Sequence, residues 1–486
     1  MKINTSPLRR PNNRLLTRIA TLAAALIIAG NKPAVAQHMM GMATSERSVM
    51  NSMYLNPSGI SGSHEKIVVG LFSMQLYADN SLGTISKLFD INKPLEGNST
   101  GLSFSNSGNK TFNLVAPAFE MRGPSLMVGF NDKLKQSFAI TTRIRAMNQL
   151  NNFDQSLYNT ITDPDYVSDG NYRFNTSKFN WTAHIWNEIG FSYAATVLNK
   201  GNSVLKVGFT ARYLGGIGYL ALKGTNVDVS ITAGSDTFRA SNSDLQYASN
   251  VLSSNSAINK GLDAGGLLEK FFGSKAGSGY GGDIGLTYLY RLDDNADKKT
   301  AVKDNYLFKV GLSVTDIGAI TYKKEQNYNI NVAGNGYVTG RDMITKLQSY
   351  QEFRAYAVQQ GFTADTGSVD TKIQLPTTLV LAVDYRLHNR LFVNATYIGN
   401  MVNRQAFGNS YYGQLTVTPR FESKIFSFGV PVTYSMLAND IKVGFGMRVS
   451  GFYFGSDDML AIVSDNQHGF GFYFGGYVPI FRKNDK

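Results

Sequence analysis

The sequence predicts an all-β protein that folds as a closed antiparallel transmembrane β-barrel, and three observations carry this prediction. Residues 377–398 contain two alternating apolar runs of about ten residues joined by a short turn, which is the pattern of a hairpin in an outer-membrane barrel. No stretch after Gly30 has ~18 consecutive apolar residues, so helical membrane spans are not expected. The 26 Tyr, 30 Phe and 48 Gly are typical of membrane-crossing strands with aromatic girdles.

The hairpin shows the alternation expected of such strands. Side chains of a strand point to opposite faces in turn. Leu379 and Leu381 therefore share one face, whereas Thr378, Val380 and Asp384 share the other. We expect the first face to lie against lipid and the second to line the lumen.

Thirteen segments of this kind can be read along the chain, and they cover residues 66–77, 111–131, 136–147, 181–198, 203–222, 280–291, 305–322, 371–387, 390–401, 411–422, 425–437, 441–454 and 469–481. Single-chain bacterial barrels have an even number of strands, so one strand is missed or merged. The stretch 225–233 is the first candidate for a missed strand, and Gly123-Pro124 offers a point at which 111–131 divides. We expect fourteen strands, with twelve as the alternative.

The connections between these segments are unequal in length. Residues 131–135, 199–202 and 388–389 form short turns, whereas four long polar connections span residues 78–110, 148–180, 223–279 and 323–370. Barrels of this type place long loops on the outward side. Helical patches are predicted at Leu262–Phe272 and Met343–Gln360, as a lid over the mouth or as a piece inside the lumen.

The N-terminus is predicted to be a secretory signal peptide, residues 1–36. Five basic residues precede an apolar segment, residues 19–30, that is too short to span a membrane, and Ala34-Val35-Ala36 forms an A-x-A cleavage site. Cleavage near Ala36 would direct the chain to the outer membrane of a Gram-negative bacterium. Residues 37–64 are then a candidate lumenal hatch, and residues 65–486 form the barrel.

The net charge does not indicate a nucleic-acid partner. The formal charge of +12 falls to +6 once the six basic residues of the signal peptide leave. Outside the signal peptide, no basic patch is interleaved with aromatic residues in the manner of nucleic-acid binding proteins. The expected partners are outer-membrane lipid and, during biogenesis, the barrel-assembly machinery. The last strand supports the second partner, because Tyr473, Tyr477 and Phe481 form an aromatic terminal face.

Alternation assigns fourteen charged side chains to the lumen. Charges on the lipid face cost roughly 2–4 kcal/mol near the midplane, which favours an inward orientation. The basic set is Arg143, Arg145, Lys206, Arg212, Arg291, Lys309, Arg386, Arg420, Lys442 and Arg448. The acidic set is Glu188, Asp283, Asp384 and Glu422. Such a basic wall either attracts anionic solutes or braces the barrel through internal ion pairs.

No residue pattern indicates catalysis, a metal or a cofactor. The five histidines are widely separated, without metal-ligand spacing. His184 is expected to face the lumen near Glu188 and to make a structural hydrogen bond. The G-x-G-x-x-G match at residues 277–282 enters a strand, whereas a dinucleotide site requires a helix there. We therefore predict no enzyme activity and no cofactor.

Several short motifs resemble known barrel families. Asn56-Pro57-Ser58-Gly59 and Leu375-Pro376-Thr377-Thr378 resemble segments of the long-chain fatty-acid transporter superfamily. Residues 311–318, 451–458 and 472–480 resemble an uncharacterised group of barrels that is known only as a domain of unknown function. The resemblance implies a fourteen-stranded barrel, an N-terminal hatch whose turn is formed by Asn56, Pro57 and Gly59, and uptake of hydrophobic compounds.

Two functions follow from these observations as hypotheses. The first is passive transport of a small amphipathic, hydrophobic or anionic solute across the outer membrane. The second is a non-conducting barrel scaffold whose surface loops bind a secretion or surface-assembly partner. A continuous water path past the hatch would favour the first, and an exposed apolar patch on the long loops would favour the second.

Overall fold

The computed structural model describes residues 39–81, 84–85, 102–103, 111–130, 135–155, 170–176, 178–250, 276–292, 306–339, 342, 345–346, 350–367, 369–460 and 468–481. The helix predicted at Leu262–Phe272 lies outside these residues.

Twenty-four strand segments occur in the described residues, and most of them join one sheet. In chain order they are β1 Glu65–Asn80, β2 Thr84–Ile85, β3 Leu102–Ser103, β4 Thr111–Arg122, β5 Ser125–Phe130, β6 Gln136–Asp154, β7 Tyr172–Thr176, β8 Asn180–Lys200, β9 Ser203–Ile231, β10 Thr237–Ser249, β11 Gly277–Arg291, β12 Tyr306–Tyr322, β13 Tyr328–Thr339, β14 Thr363–Gly367, β15 Thr371–Gln374, β16 Thr378–His388, β17 Leu391–Asn400, β18 Gln414–Glu422, β19 Phe426–Gly429, β20 Val432–Ser435, β21 Asp440–Val443, β22 Phe445–Val449, β23 Phe452–Asp458 and β24 Gly469–Phe481.

The sheet closes into a fourteen-stranded antiparallel barrel, which confirms the predicted fold class and strand number. Closure is made by β1 and β24, whose register runs from Glu65 opposite Phe481 to Asp79 opposite Gly469. Several barrel strands consist of two segments in line: β4 with β5, β15 with β16, β19 with β20, and β21 with β22. Closure pairs the edges that an open sheet would expose.

The strand missing from the sequence-based count lies within residues 441–454. This range contains the end of one barrel strand, β21 with β22, and the start of the next, β23. The chain reverses between them at Ser450, whose φ of 56° is left-handed. The other candidate, 225–233, was wrong as a separate strand, because residues up to Ile231 continue β9. The break at Gly123-Pro124 separates β4 from β5 within one barrel strand.

Burial follows the predicted alternation in the β16–β17 hairpin. Thr378, Val380 and Asp384 are buried inside the barrel, whereas Tyr385 and Leu387 are exposed on its outer face. The last strand, β24, places Tyr473 and Tyr477 inward, and Phe472, Val478 and Ile480 are its exposed apolar side chains. Its aromatic face therefore lines the lumen, and recognition by the barrel-assembly machinery remains a prediction.

Two of the predicted long loops contain regular structure. Residues 223–279 include the upper part of β9 and the strand β10, and residues 323–370 include β13, helix α2 Tyr350–Gln359 and β14. A short helix, α1 Val49–Ser52, precedes the barrel. Strands β7, β9, β10, β13 and β14 pair side by side above the barrel wall. We call this part, with α2, the sheet extension. The many Ser, Asn and Asp residues of β10 hide its strand character in the sequence.

The sheet extension marks one end of the barrel, the long-loop end. The opposite, short-turn end carries tight connections such as residues 201–202 and 389–390. Among the described residues, no helix is both long and apolar enough to cross a membrane.

Candidate functional site

Residues 39–64 occupy the barrel interior, and we call them the N-terminal insert. Most of its side chains are buried, including five methionines, Met39, Met40, Met42, Met50 and Met53. The backbone N–H of Met40 donates to Asp457 of β23 at 2.8 Å, and the carbonyl of Leu55 accepts from Ser313 of β12. These contacts lie on opposite parts of the wall, so the insert crosses the lumen.

The motif Asn56-Pro57-Ser58-Gly59 makes a close contact between the N-terminal insert and the wall. Pro57–Ile60 is one turn of 3-10 helix, capped by the Asn56 side chain, which accepts from the Ser58 N–H at 3.0 Å. Asn56 also donates to the carbonyl of Leu286 at 2.9 Å. The short side chain of Asn56 reaches a wall carbonyl only if the insert approaches the wall backbone closely.

Glycines on neighbouring wall strands provide that approach. A Cβ at Gly208 would lie 2.4 Å from the Ser58 nitrogen, and a Cβ at Gly285 would lie 2.1 Å from Asn56 Oδ1. Gly208 and Gly285 are direct register partners on β9 and β11. The sequence motif and these two glycines therefore form one complementary contact; the role of Asn56, Pro57 and Gly59 as a hatch turn stays a prediction.

A second segment enters the lumen, and no sequence pattern predicts it. Residues 401–413, the loop insert, connect β17 and β18 and run to the opposite wall. Asn409 donates to the carbonyls of Met147 and Thr182, at 3.4 and 3.2 Å, and Ser410 N–H donates to the Gln149 side chain at 2.8 Å. Tyr411 and Tyr412 are buried with it. A short polar loop of this composition reads as an ordinary surface turn.

A balanced group of buried charges joins the walls between the two inserts. We call it the arginine cluster, and it comprises Arg122, Arg143, Arg145, Arg212, Glu120, Glu188, Asp283 and Asp316. Arg143 contacts Glu188 and Asp316, each at 2.6 Å. All eight side chains are at most 8% exposed. Four positive and four negative charges face each other, as burial of charge requires.

Asp316 is the member of the arginine cluster that alternation could not place. Opposite Gly282 and Ile284, strand β12 contains one extra residue, and Asp316 adopts a left-handed φ of 55°. This bulge turns the carboxylate into the lumen, where it reaches Arg143, Arg145 and Arg212. The sequence pattern does not place this carboxylate in the lumen, because a bulge breaks the two-residue period.

A second charged group lies closer to the short-turn end. Glu46 of the N-terminal insert contacts Lys309 at 2.7 Å and Lys206 at 3.7 Å. Arg420 contacts Asp384 and Glu422. Here too three cations meet three carboxylates. One of these carboxylates, Glu46, comes from the insert, so docking of the insert completes the charge balance.

The four remaining predicted basic residues differ in their surroundings. Lys442 is buried against Asp79 at 2.8 Å, and Arg448 donates to the Ser427 hydroxyl at 2.7 Å. Arg291 is half-buried at the end of β11, and Arg386 donates to the carbonyl of Asn389 at 3.2 Å.

The predicted excess of ten basic over four acidic lumenal residues was wrong as a charge balance. It omitted carboxylates that face the same interior, among them Glu46, Asp79, Glu120, Asp316 and Asp457. Burial of cations without partners would be far more costly than these ion pairs.

The contacts of His184 are those of a buried residue that supports the fold. It is 1% exposed, its Nε2 lies 3.0 Å from the Tyr322 hydroxyl, and its ring stacks on Trp186. Trp186, and not His184, donates to Glu188, at 2.7 Å. Among the described residues, no group of three His, Cys, Asp or Glu side chains could hold a metal ion.

An apolar pocket lies in the sheet extension, beyond the barrel wall. It encloses a cavity of about 60 Å³ between β9, β10, β13 and α2. The lining side chains are Phe174, Phe179, Leu222, Val227, Val229, Phe238, Ala240, Ser243, Leu245, Val332, Val338, Phe353, Tyr356, Ala357 and Phe362. We call this the apolar pocket, and alternation along β9 and β13 brings its apolar side chains to one face.

The two hydroxyls in the apolar pocket have partners in the protein. Ser243 accepts from the Asp228 N–H at 3.1 Å, and Tyr356 accepts from the Thr339 N–H at 3.0 Å. Burial raises the pKa of Tyr356, so its hydroxyl stays neutral at physiological pH. The pocket thus offers a ligand apolar contact without charge.

The apolar pocket and the loop insert meet at the start of β8. Phe179 lines the pocket, and the next residue, Asn180, donates to the carbonyls of Arg404 and Ala406, at 2.8 and 2.9 Å. Gln405 donates to the carbonyl of Lys178 at 3.1 Å. A residue that lines the apolar pocket, Phe179, is therefore followed directly in the chain by one that binds the loop insert, Asn180.

Two solved structures match this chain over most of its length. The P. putida toluene transporter TodX is 10% identical, with a TM-score of 0.41, over 89% of this chain and 94% of that chain. A Pseudomonas aeruginosa FadL homologue is 10% identical, with a TM-score of 0.26, over 92% and 98% of the two chains. The comparison with curated proteins finds no match.

A family profile covers most of the sequence. It matches residues 61–457, which include all barrel strands except the last, and it is described as a family of unknown function. This match agrees with the resemblance of residues 311–318 and 451–458 to a domain of unknown function. The chain belongs to this family, DUF5723.

Proposed function

We propose that this protein is an outer-membrane barrel that takes up a small hydrophobic solute, which binds first in the apolar pocket. The apolar pocket carries this proposal, because it is lined almost entirely by apolar side chains. About 10–15 Å³ of such a cavity holds one water-sized group. The cavity of about 60 Å³ therefore has room for about four to six such groups, the size of a small hydrocarbon.

Residence in the outer membrane is supported by the outer face of the barrel. Large apolar side chains are exposed there on many strands, among them Ile189, Phe191, Phe209, Leu312, Phe454 and Phe472. Exposed apolar area of this extent matches a lipid environment. The predicted signal peptide and its cleavage near Ala36 are part of the same proposal.

Pocket filling tests the proposed solute. Ala357 is buried in the apolar pocket, and its neighbour Val358 is 52% exposed on the same helix. We expect Ala357→Phe to weaken benzene and n-hexane binding at least about tenfold, because the new ring takes the ligand's place. Saturation-transfer NMR on the refolded full chain measures the binding, and Val358→Phe is the matched control.

Equal binding by Ala357→Phe and Val358→Phe would contradict the proposal. Folding of both variants is checked by the heat-dependent shift of barrels in electrophoresis. If Ala357→Phe does not fold, Ala240→Phe fills the same pocket from β10. Uptake by proteoliposomes then shows whether bound hydrocarbon crosses the barrel.

The filled lumen favours a second candidate function, the non-conducting scaffold. Both inserts pack against opposite walls in the described residues. A protein that binds hydrocarbon but takes up none in proteoliposomes, even with the N-terminal insert displaced, would support the scaffold and contradict transport.

A further inference from the structure

A wide groove on the outer face of the barrel lies near the long-loop end. It has a volume of about 690 Å³ and is bounded by β11, β12 and β15. Its lining includes the small residues Gly279, Gly318 and Ala319, which we call the small-residue base. The exposed ring of Tyr280 stands at one side, and Lys323 and Lys372 lie at the other.

Alternation places this groove outside the lumen. Ile320 and Tyr322 on β12 are fully buried and point inward. Ala319, Thr321 and Lys323, which alternate with them, therefore face outward. The bulge at Asp316 and the left-handed Gly318, with φ of 140°, interrupt the regular wall at this point.

The groove lies where the apolar belt of the outer face ends. Tyr280 packs edge-on against Tyr213, with ring centroids 6.0 Å apart, and such tyrosines mark the border of the hydrocarbon region. Lys372 pairs with Thr321, two residues beyond Ala319. Two strand residues correspond to about 7 Å, which places the ammonium groups at headgroup level.

The charges around the groove favour an anion. Lys323 contacts Asp370 at 2.9 Å, and both side chains are largely exposed. Lys372 lies on the neighbouring strand and adds a positive charge near this pair. Lys324 and Glu325 also act on this pair and offset each other. The three lysines therefore outnumber the two carboxylates by one, so the local net charge is positive.

We propose that this groove binds a phosphate-bearing glycolipid of the outer leaflet, with an acyl chain over the small-residue base and a phosphate at Lys372 and Lys323. This inference rests on the outer-membrane residence in the proposed function. Large side chains cover most of the outer face, but glycine and alanine leave room here for a chain. Each lysine near an anionic headgroup contributes about a fivefold change in affinity.

Native mass spectrometry of the full chain in detergent, with bisphosphorylated lipid A as the probe, tests the site. We expect the double variant Lys323→Gln and Lys372→Gln to bind lipid A at least about tenfold more weakly than the native chain. The matched control replaces Lys66 and Lys200, two exposed lysines at the short-turn end, and is expected to bind like the native chain. Ala319→Leu, which narrows the groove but keeps both lysines, is expected to weaken lipid A as well.

Three outcomes would overturn the lipid site. The first is an equal loss of lipid A affinity in the two double variants. The second is equal affinity of the native chain for lipid A and for its phosphate-free form. The third is complete displacement of lipid A by inorganic phosphate at the same concentration. Because hydrocarbon binding is measured separately with Ala357→Phe, failure of the lipid site and failure of the proposed solute are distinguishable.

Discussion

Replacement of Arg212 by methionine is expected to lower the free energy of unfolding by about 3–5 kcal/mol. Its guanidinium donates to both oxygens of Asp283 and contacts Glu188 at 3.2 Å, and these side chains are almost fully buried. Loss of one cation leaves carboxylates buried without compensation, which is more costly than loss of the pair as a whole. Guanidinium titration of the refolded barrel measures the change.

The chain offers a matched control for this prediction. Arg173 also donates to both oxygens of an aspartate, Asp228, but in the sheet extension, where its side chain is 69% exposed. The hydrogen bonds and charge of Arg173 lower the pKa of Asp228. Solvent screens such a pair, so Arg173→Met is expected to change stability little. Similar losses from both variants would show that the arginine cluster does not stabilise the barrel through burial.

Substitution of Gly285 by valine is expected to displace the N-terminal insert. The added Cβ would lie 2.1 Å from Asn56 Oδ1 and 2.9 Å from Pro57 Cδ, distances at which the Asn56 side chain and the rigid Pro57 ring must shift away from the wall. Because the chain has no cysteine, a single Ser48→Cys provides a unique label at a buried position of the insert. We expect maleimide to react at least about tenfold faster in the Gly285→Val background, a difference of about 1.4 kcal/mol.

The control for this substitution is Gly367→Val, because no atom lies within 4 Å of the Cβ added there. Planar-bilayer conductance of the same proteins reports whether displacement opens a path. If Ser48→Cys reacts at the same rate in both backgrounds while the barrel stays folded, the contact between Asn56 and Gly285 does not hold the insert.

The barrel itself could be predicted from the sequence because its strands obey one simple period. Lipid on one side and a polar interior on the other make each strand of the β16–β17 hairpin alternate cleanly. The number of strands could also be predicted, because thirteen segments were visible and an antiparallel sheet closes on itself only with an even number of strands. The merged strand went unseen because the turn at Ser450 and Gly451 has no proline and only one glycine.

The interior could be predicted only in part. Lys206, Arg212, Asp283 and Asp384 are buried, in line with their positions in alternating strands. Their partners come from places where alternation does not apply, such as the bulge at Asp316, or where the chain leaves the sheet, such as Glu46. The loop insert and the sheet extension depend on contacts between distant residues, which no local pattern encodes.

The bond between Met40 and Asp457 joins residues 417 positions apart, and this separation has a consequence for biogenesis. The N-terminal insert leaves the ribosome first, yet its anchor on β23 is synthesised almost last. Contacts between residues so far apart in sequence form slowly. We therefore expect the insert to dock only after the last strands have closed the barrel, so that an assembly intermediate exposes five otherwise buried methionines to solvent and to chaperones.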